Sequence, residues 1–214
     1  MDDHPAKATL DPFLAVAIVV LSTGCATTIV RPTDVGPTAS PPRTWNAPGV
    51  MLVSGPTPEA MAAEVRAFAT NLDVHEVHLP ADSDLTSVCP APGYMVLRPA
   101  LTRTYFASNA GDRNALMIYE AAVVVGLPVT LISAVAWSWY GETTTEGTLD
   151  ALRCGEPSTV WHLVASTRIR SEGRGFVRGG TIRDAQAEAA VRAVTRKLLA
   201  MHAEEVRKQE GGSR

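Results

Sequence analysis

A stretch without charged residues, from Ala121 to Gly141, restricts most strongly what this chain can fold into. Such a segment is too apolar to be left in water, where it would aggregate or bind something. Its length approaches that of a membrane span, and three aromatic residues at its end suit the headgroup level. We therefore predict an apolar helical insert over residues 115–140 that associates with a membrane.

Three arrangements of this insert are open. Gly126 and Pro128 interrupt its middle and favour two short helices that lie on or dip into one leaflet. A single helix spanning 121–140 is an alternative, although the basic residues around it do not favour a cytoplasmic C-terminal half. A buried core helix is the third. For the surface-inserted arrangement, the predicted membrane contacts are Leu127, Pro128, Ile132, Trp137, Trp139 and Tyr140.

An earlier apolar run, Phe13 to Val20, is followed by Leu21-Ser22-Thr23-Gly24-Cys25. This order resembles a bacterial lipoprotein signal, in which small residues precede the cut and the cysteine thiol carries a diacylglyceryl group. The run is too short to span a bilayer stably, which favours a cleaved signal peptide at 1–24. The alternative is a buried apolar segment with an incidental Gly-Cys pair. The resemblance implies lipidation at Cys25, and Ala26 after it implies the outer membrane.

The remaining cysteines and the overall charge bear on the predicted compartment and on the predicted partners. With Cys25 lipidated, the other two of the three cysteines form an even pair, Cys89 and Cys154. In an oxidising periplasm this pair predicts a disulfide, and two unrelated buried thiols are the alternative. The formal net charge is −3 with no basic block, so nucleic acid is not a predicted partner.

The rest of the chain indicates one domain behind a tether. Residues 25–48 are rich in proline and threonine and predict an extended tether, and a single domain is predicted over 49–209. The charged chain from Glu204 is predicted to fray and 210–214 to be disordered. The fold class is α+β, a small mixed sheet with helices on one face. Strands are predicted at Val50–Val53, Val74–Leu79, Tyr94–Phe106 (bent at Pro99), Gly147–Arg153 and Val160–Arg170, and helices at Thr57–Leu72 and, capped by Thr181, through Ala185–Met201.

This order of elements is similar in pattern to outer-membrane lipoproteins of the transport-auxiliary and TolB N-terminal-like kind. The parts that carry the similarity are the lipobox, the strand–helix–strand opening at 50–79, and the late strand that leads into a long Ala-rich helix. The resemblance implies a non-enzymatic accessory or scaffold in a cell-envelope complex, anchored on the periplasmic face. Its partners would be membrane lipid and either an envelope protein or a second copy. An integral inner-membrane protein with its span at 121–140 is the alternative.

Candidate chemistry is sparse. His75 and His78 are three apart on a predicted strand, which places their imidazoles on opposite faces and argues against a metal site. The glycine-rich run from Gly173 to Gly180 lacks the residues of a phosphate loop and predicts a flexible surface turn. We therefore predict no catalytic residue, no metal and no cofactor.

Overall fold

The computed structural model describes residues 33–34, 47–54, 58–80, 82–109, 138–155, 159–174, 177 and 179–212. Six strands and two helices lie within these residues, together with a short 3-10 helix at Leu85–Val88. In chain order the elements are β1 Thr33–Asp34, β2 Gly49–Ser54, α1 Glu59–Phe68, β3 Asp73–His78, β4 Met95–Ser108, β5 Ser138–Arg153, β6 Thr159–Arg174 and α2 Gly179–Gly212.

The strands form one mixed sheet in the order β1-β6-β5-β4-β2-β3. β2 is parallel to both β3 and β4, whereas the other neighbouring strands are antiparallel. Since α1 connects two parallel neighbours, β2 and β3, the opening is a βαβ unit. The predicted α+β class with a mixed sheet is confirmed.

The sheet has two ends, which we call the upper end and the lower end. The upper end is where β4 stops at Ser108, β5 starts at Ser138 and β6 stops at Arg174. The lower end is where Arg153 and Thr159 meet across the β5–β6 hairpin. β5 and β6 are 16 residues each, so they are about 50 Å long at 3.3 Å per residue.

β5 and β6 are longer than predicted because polar residues continue the strand pattern. In β5, Thr143 and Thr145 are buried, and Glu142 and Glu146 alternate with them. β-branched threonines suit a strand even when the segment is not apolar. The β5 pairing with β4 shifts register between Leu101 and Arg103, two residues beyond the bend predicted at Pro99.

The two helices cover one face of the sheet and enclose the main core. This core joins residues of β2, α1, β4, β5 and α2 and includes Leu52, Met61, Leu97, Leu149 and Leu198, each almost fully buried. α2 has 34 residues and runs from the upper end to the lower end, where Glu210 pairs with Arg153 at 3.4 Å. Gly141 lies directly beneath Ile182, and a Cβ there would collide with that side chain.

The C-terminal tail is helical, contrary to the sequence prediction. α2 continues to Gly212, so residues 210–212 are part of a helix. Ala203 and Val206 are buried against the sheet and extend the apolar stripe beyond Glu204. Ion pairs three residues apart, such as Glu204 with Arg207, add modest support on the exposed side.

A buried polar network joins the upper part of α2 to the sheet. The Gln186 amide nitrogen donates to the Gly141 carbonyl at 2.8 Å and to the Ser171 hydroxyl at 2.9 Å. Its carbonyl oxygen accepts from the Thr143 hydroxyl at 2.7 Å. Because all these buried groups find partners, the network fixes the position of the helix on the strands without the cost of unsatisfied polar atoms.

Glu64 joins the two helices. Its carboxylate accepts hydrogen bonds from Arg192 at 3.0 Å and from Arg196 at 2.7 and 2.9 Å. Burial alone would raise the pKa of Glu64, but the two guanidinium groups outweigh it, so the pKa is lowered from its ordinary value. A buried carboxylate with charged partners on the facing helix sets the alignment of α1 with α2.

Candidate interaction surface

The face of the sheet that the helices leave uncovered is the main candidate for function. Along β5 and β6 the odd-numbered residues point toward the helices and most are buried, as strand geometry requires. The even-numbered residues point the other way and most of those in β6 are exposed. We call this second side the open face, and it consists of the even-numbered residues of β5 and β6 with their cross-strand neighbours in β4.

The lower end of the open face is covered by the loop that follows β3. Leu85 and Val88 of the 3-10 helix pack with Val96 and Leu152, which form a second small core. The Cys89–Cys154 disulfide fastens this loop to the end of β5, with the two Cα atoms 5.7 Å apart. The predicted disulfide is confirmed, and it holds the loop against the sheet.

A polar row crosses three strands just above this loop. Arg98 donates to Asp150 at 2.8 and 3.2 Å and to the Ser83 carbonyl at 2.8 Å. On the other side, Nδ1 of His162 lies 2.5 Å from Asp150. Burial of Asp150 acts to raise its pKa, but hydrogen bonds from His162 and Arg98 prevail and lower it. The carboxylate therefore stays ionised and ties β4, β5 and β6 together.

A shallow pocket of about 260 Å³ lies between this row and the loop. It is lined by side chains of both, including Thr86, Arg98 and Asp150. The Asp84 side chain accepts from the Thr86 backbone N–H at 2.9 Å and from its hydroxyl at 2.6 Å. These hydrogen bonds lower the pKa of Asp84 and fix the loop that forms the pocket wall.

The upper part of the open face mixes charged pairs with an aromatic ring. Arg168 pairs with Glu142 at 3.2 Å, and Arg170 pairs with Glu172 at 2.6 Å. The Arg170 guanidinium lies 5.6 Å from the centroid of the Tyr140 ring, within cation–π range. These pairs balance in charge, so this part of the face has no strong preference for one sign of partner.

Exposed apolar side chains lie among these charged and polar groups. Val160 is 64 % exposed, Val164 58 % and Tyr105 60 %. Val164 is opposite Thr148 and Tyr105 is opposite Thr144, so both lie on the open face. Protein interfaces combine apolar groups with a polar rim, so this composition is compatible with binding another protein.

Trp139, which the sequence predicts as a membrane contact, is instead buried within the domain. It is 2 % exposed and packs with Val177, Ile182 and Phe106 on the helix side of the sheet, so the prediction is wrong for this residue. Gly173 on the neighbouring strand provides room for the indole, since a Cβ there would collide with it. Tyr140 is 42 % exposed on the open face. Cys25, Leu127, Pro128, Ile132 and Trp137 lie outside the described residues.

The boundary of the apolar insert also changes. Residues 138–140 are the first residues of β5, so the insert predicted over 115–140 ends before Ser138. Within the described part of the chain, no helix combines the length and apolarity needed to cross a bilayer. Trp139 and Tyr140 pair with Gly173 and Glu172 in the sheet, so the last residues of the predicted span 121–140 belong to β5.

The other sequence motifs have structural partners. His78 hydrogen-bonds Ser54 at 2.7 Å, while His75 lies 3.0 Å from Asp73. In the ranges that the structure describes, no group of histidine, cysteine, aspartate and glutamate side chains could hold a metal ion. The glycine-rich run is predicted as a surface turn, yet Gly173 belongs to β6, Gly179 begins α2, and Val177 between them is buried.

Comparison with known proteins does not identify the chain. No protein-family model matches the sequence, and no curated protein matches it either. The function must therefore be argued from the sequence signal and from the geometry of the open face.

His202 was not singled out from the sequence, and it gives the fold a defined acid sensitivity. It is fully buried in α2 and meets the Trp161 ring edge-on, with the centroids 5.0 Å apart. Burial lowers its pKa from 6.5 to about 4. The unfolded chain therefore binds a proton more readily, and stability is lost as the pH falls from 6.5 toward 4.

We expect the wild-type protein to lose about 2 kcal/mol of unfolding free energy between pH 7 and pH 5 through His202. Urea titrations at the two pH values measure this loss. His202→Leu, which cannot titrate, should remove most of the difference. Glu64 and Asp150, whose pKa values are lowered, contribute at more acidic pH and do not interfere. An unchanged difference in the variant would contradict the assignment.

Proposed function

We propose that the protein is a lipid-anchored lipoprotein on the periplasmic face of the outer membrane, where it acts as a non-enzymatic accessory or scaffold in an envelope complex. The lipobox ending at Cys25 supports the anchor. The Cys89–Cys154 disulfide supports an oxidising compartment, because such bonds persist there and are rare in the cytosol.

The observation that carries the scaffold role is the one-sided sheet. Helices cover one face, on which most side chains of β5 and β6 are buried, whereas above the disulfide loop the open face exposes Val164 and Tyr105 among ion pairs. The His162–Asp150 pair belongs to a cross-strand row that stabilises the sheet, and this structural role explains the contact. These features support contact of the open face with another protein, either an envelope protein or a second copy of the chain.

The apolar stretch that precedes Ser138 adds a second attachment to the membrane. The diacylglyceryl group on Cys25 would supply two acyl chains, and apolar contact beside them would add to retention and hold the domain at the bilayer surface. We propose that Leu127, Pro128, Ile132 and Trp137 contact lipid. Flotation with liposomes, using an unlipidated chain that begins at Ala26 and so retains β1, tests this point: Val124→Asp combined with Ile132→Asp should abolish flotation. Absence of flotation by the unsubstituted chain would contradict lipid contact.

Site-specific photocrosslinking in the native envelope tests the scaffold role. We would place a photoreactive amino acid at Val164 on the open face and, as a matched control, at Ala187, which is exposed on α2. Irradiation should give discrete adducts from position 164 and few from position 187. Adduct mass distinguishes an envelope protein from a second copy of the chain.

Equal adduct patterns at the two positions would show that the open face is not the binding surface. Palmitate labelling of the same cells tests the lipid anchor independently of the crosslinking. A labelled protein without open-face adducts would leave the anchor standing and remove the scaffold surface.

A further inference from the structure

The direction in which the chain enters the sheet limits which end of the domain can face a membrane. β1 pairs antiparallel with β6, with Thr33 opposite Arg170 and Asp34 opposite Ile169. Because β6 runs toward the upper end, an antiparallel β1 runs away from it. Thr33, the first residue of β1, is therefore the end of this strand that is nearer the upper end of the sheet.

The reach of the chain decides which end the anchor can occupy. Cys25 is eight residues before Thr33, which spans at most about 28 Å when fully extended. Arg170 is eleven residues from Thr159 at the lower end, a distance of about 36 Å along β6. The lipidated cysteine cannot reach the lower end, but it can extend beyond the upper one.

The apolar stretch leads to the same end by a different route. The Asn109 backbone N–H donates to the Tyr140 carbonyl at 3.2 Å. The Tyr140 N–H donates to the Asn109 side chain at 2.7 Å. Since these two residues lie on either side of residues 110–137, both ends of that stretch are attached at the upper end.

We infer that the upper end of the sheet faces the bilayer and that the lower end, with the disulfide loop and the Arg98–Asp150–His162 row, points away from it. The inference rests on the proposed lipid anchor at Cys25. Tyr140 and Arg170, which lie together at the upper end, are residue types that suit the headgroup level. In this orientation the open face is roughly perpendicular to the membrane and is accessible to a partner beside it.

Two exposed arginines on one helix provide a matched test. Arg183 lies near the start of α2 at the upper end, and Arg207 lies near its lower end, with side chains 63 % and 64 % exposed. Each has an acidic neighbour on the helix surface, so replacement by cysteine disturbs the two sites equally. Lipid on Cys25 and the disulfide leave no native thiol free to react, so the added cysteine alone takes a fluorescent donor.

The lipidated full chain, labelled at one site, is placed in vesicles of phosphatidylethanolamine and phosphatidylglycerol with a headgroup acceptor dye. The two sites are 24 positions apart, which separates them by about 36 Å along the helix. We expect energy transfer from Arg183→Cys to exceed that from Arg207→Cys by about twofold or more. Equal transfer from both sites, or greater transfer from Arg207→Cys, in vesicles that carry the protein would overturn the orientation and leave the anchor intact. Failure of the protein to float with vesicles would instead reject the anchor.

Discussion

Removal of the Cys89–Cys154 bond should lower the unfolding free energy by about 4 kcal/mol, the largest effect we expect from changing two side chains. The bond closes a loop of 65 residues, so it mainly restricts the unfolded chain. The folded loop keeps other attachments, since the Gly93 N–H donates to the Cys154 carbonyl at 2.7 Å and the Cys154 N–H donates to the Tyr94 carbonyl at 2.8 Å. The variant should therefore fold and be less stable.

Denaturant titrations of the oxidised wild type and of the Cys89→Ala, Cys154→Ala double variant measure this difference. The wild type with reductant is the control and should match the variant, while reductant should leave the variant unchanged. Equal stability of the oxidised wild type and the variant would mean that the bond does not form in solution.

Trp139→Ala should be the most damaging single truncation at the upper end, at a cost of about 3–5 kcal/mol. The indole is buried among Val177, Ile182 and Phe106, and its removal leaves a cavity beneath the start of α2. Tyr140→Ala is the matched control, because the neighbouring ring is 42 % exposed and its loss should cost less than about 1 kcal/mol.

Thermal and denaturant unfolding of the two variants separates a core tryptophan from one at a membrane interface. A residue that contacts lipid would be nearly neutral for stability in solution and would matter only with vesicles present. Similar small losses for Trp139→Ala and Tyr140→Ala would contradict the packing around the indole.

The sequence predicts Trp139 at a membrane interface, whereas the structure buries it in the domain. Trp139, Gly141, Thr143 and Thr145 alternate with exposed or half-exposed residues, which is the period of a strand. The aromatic residues end an uncharged stretch, which on the sequence alone favours an interface belt over the alternation that continues through the threonines. Gln186, whose side chain accepts a hydrogen bond from Thr143, lies 43 residues away and could not be paired with it from sequence.

Other parts of the fold were predictable because their signals are local. The opening strand, helix and strand, the β5–β6 hairpin and the terminal helix all follow from turn residues and hydrophobic spacing. The disulfide followed from the number of cysteines. The Arg98–Asp150–His162 row was not predictable, because it depends on the register of three strands and its two carboxylate contacts join residues 52 and 12 apart.

The entry of β1 along β6 was also hidden from the sequence, and it has the largest consequence for function. Thr33 and Asp34 lie in the proline-rich stretch whose composition predicts an extended tether, yet they pair with Arg170 and Ile169. With Cys25 lipidated as proposed, this pairing would leave only the residues between Cys25 and Thr33 as a tether. The domain would then be held closer to the membrane than a tether of residues 25–48 would hold it.

Lipid on Cys25 is the claim that the proposed function depends on most, and intact mass of the protein from membranes tests it most directly. The mass should equal that of residues 25–214 with the intramolecular disulfide and a lipid-modified N-terminal cysteine. Labelled palmitate should enter the wild type and not Cys25→Ser, which should retain residues 1–24. A mass that includes residues 1–24 without lipid in the wild type, or equal labelling of Cys25→Ser, would contradict the anchor and with it the proposed place of this protein in the envelope.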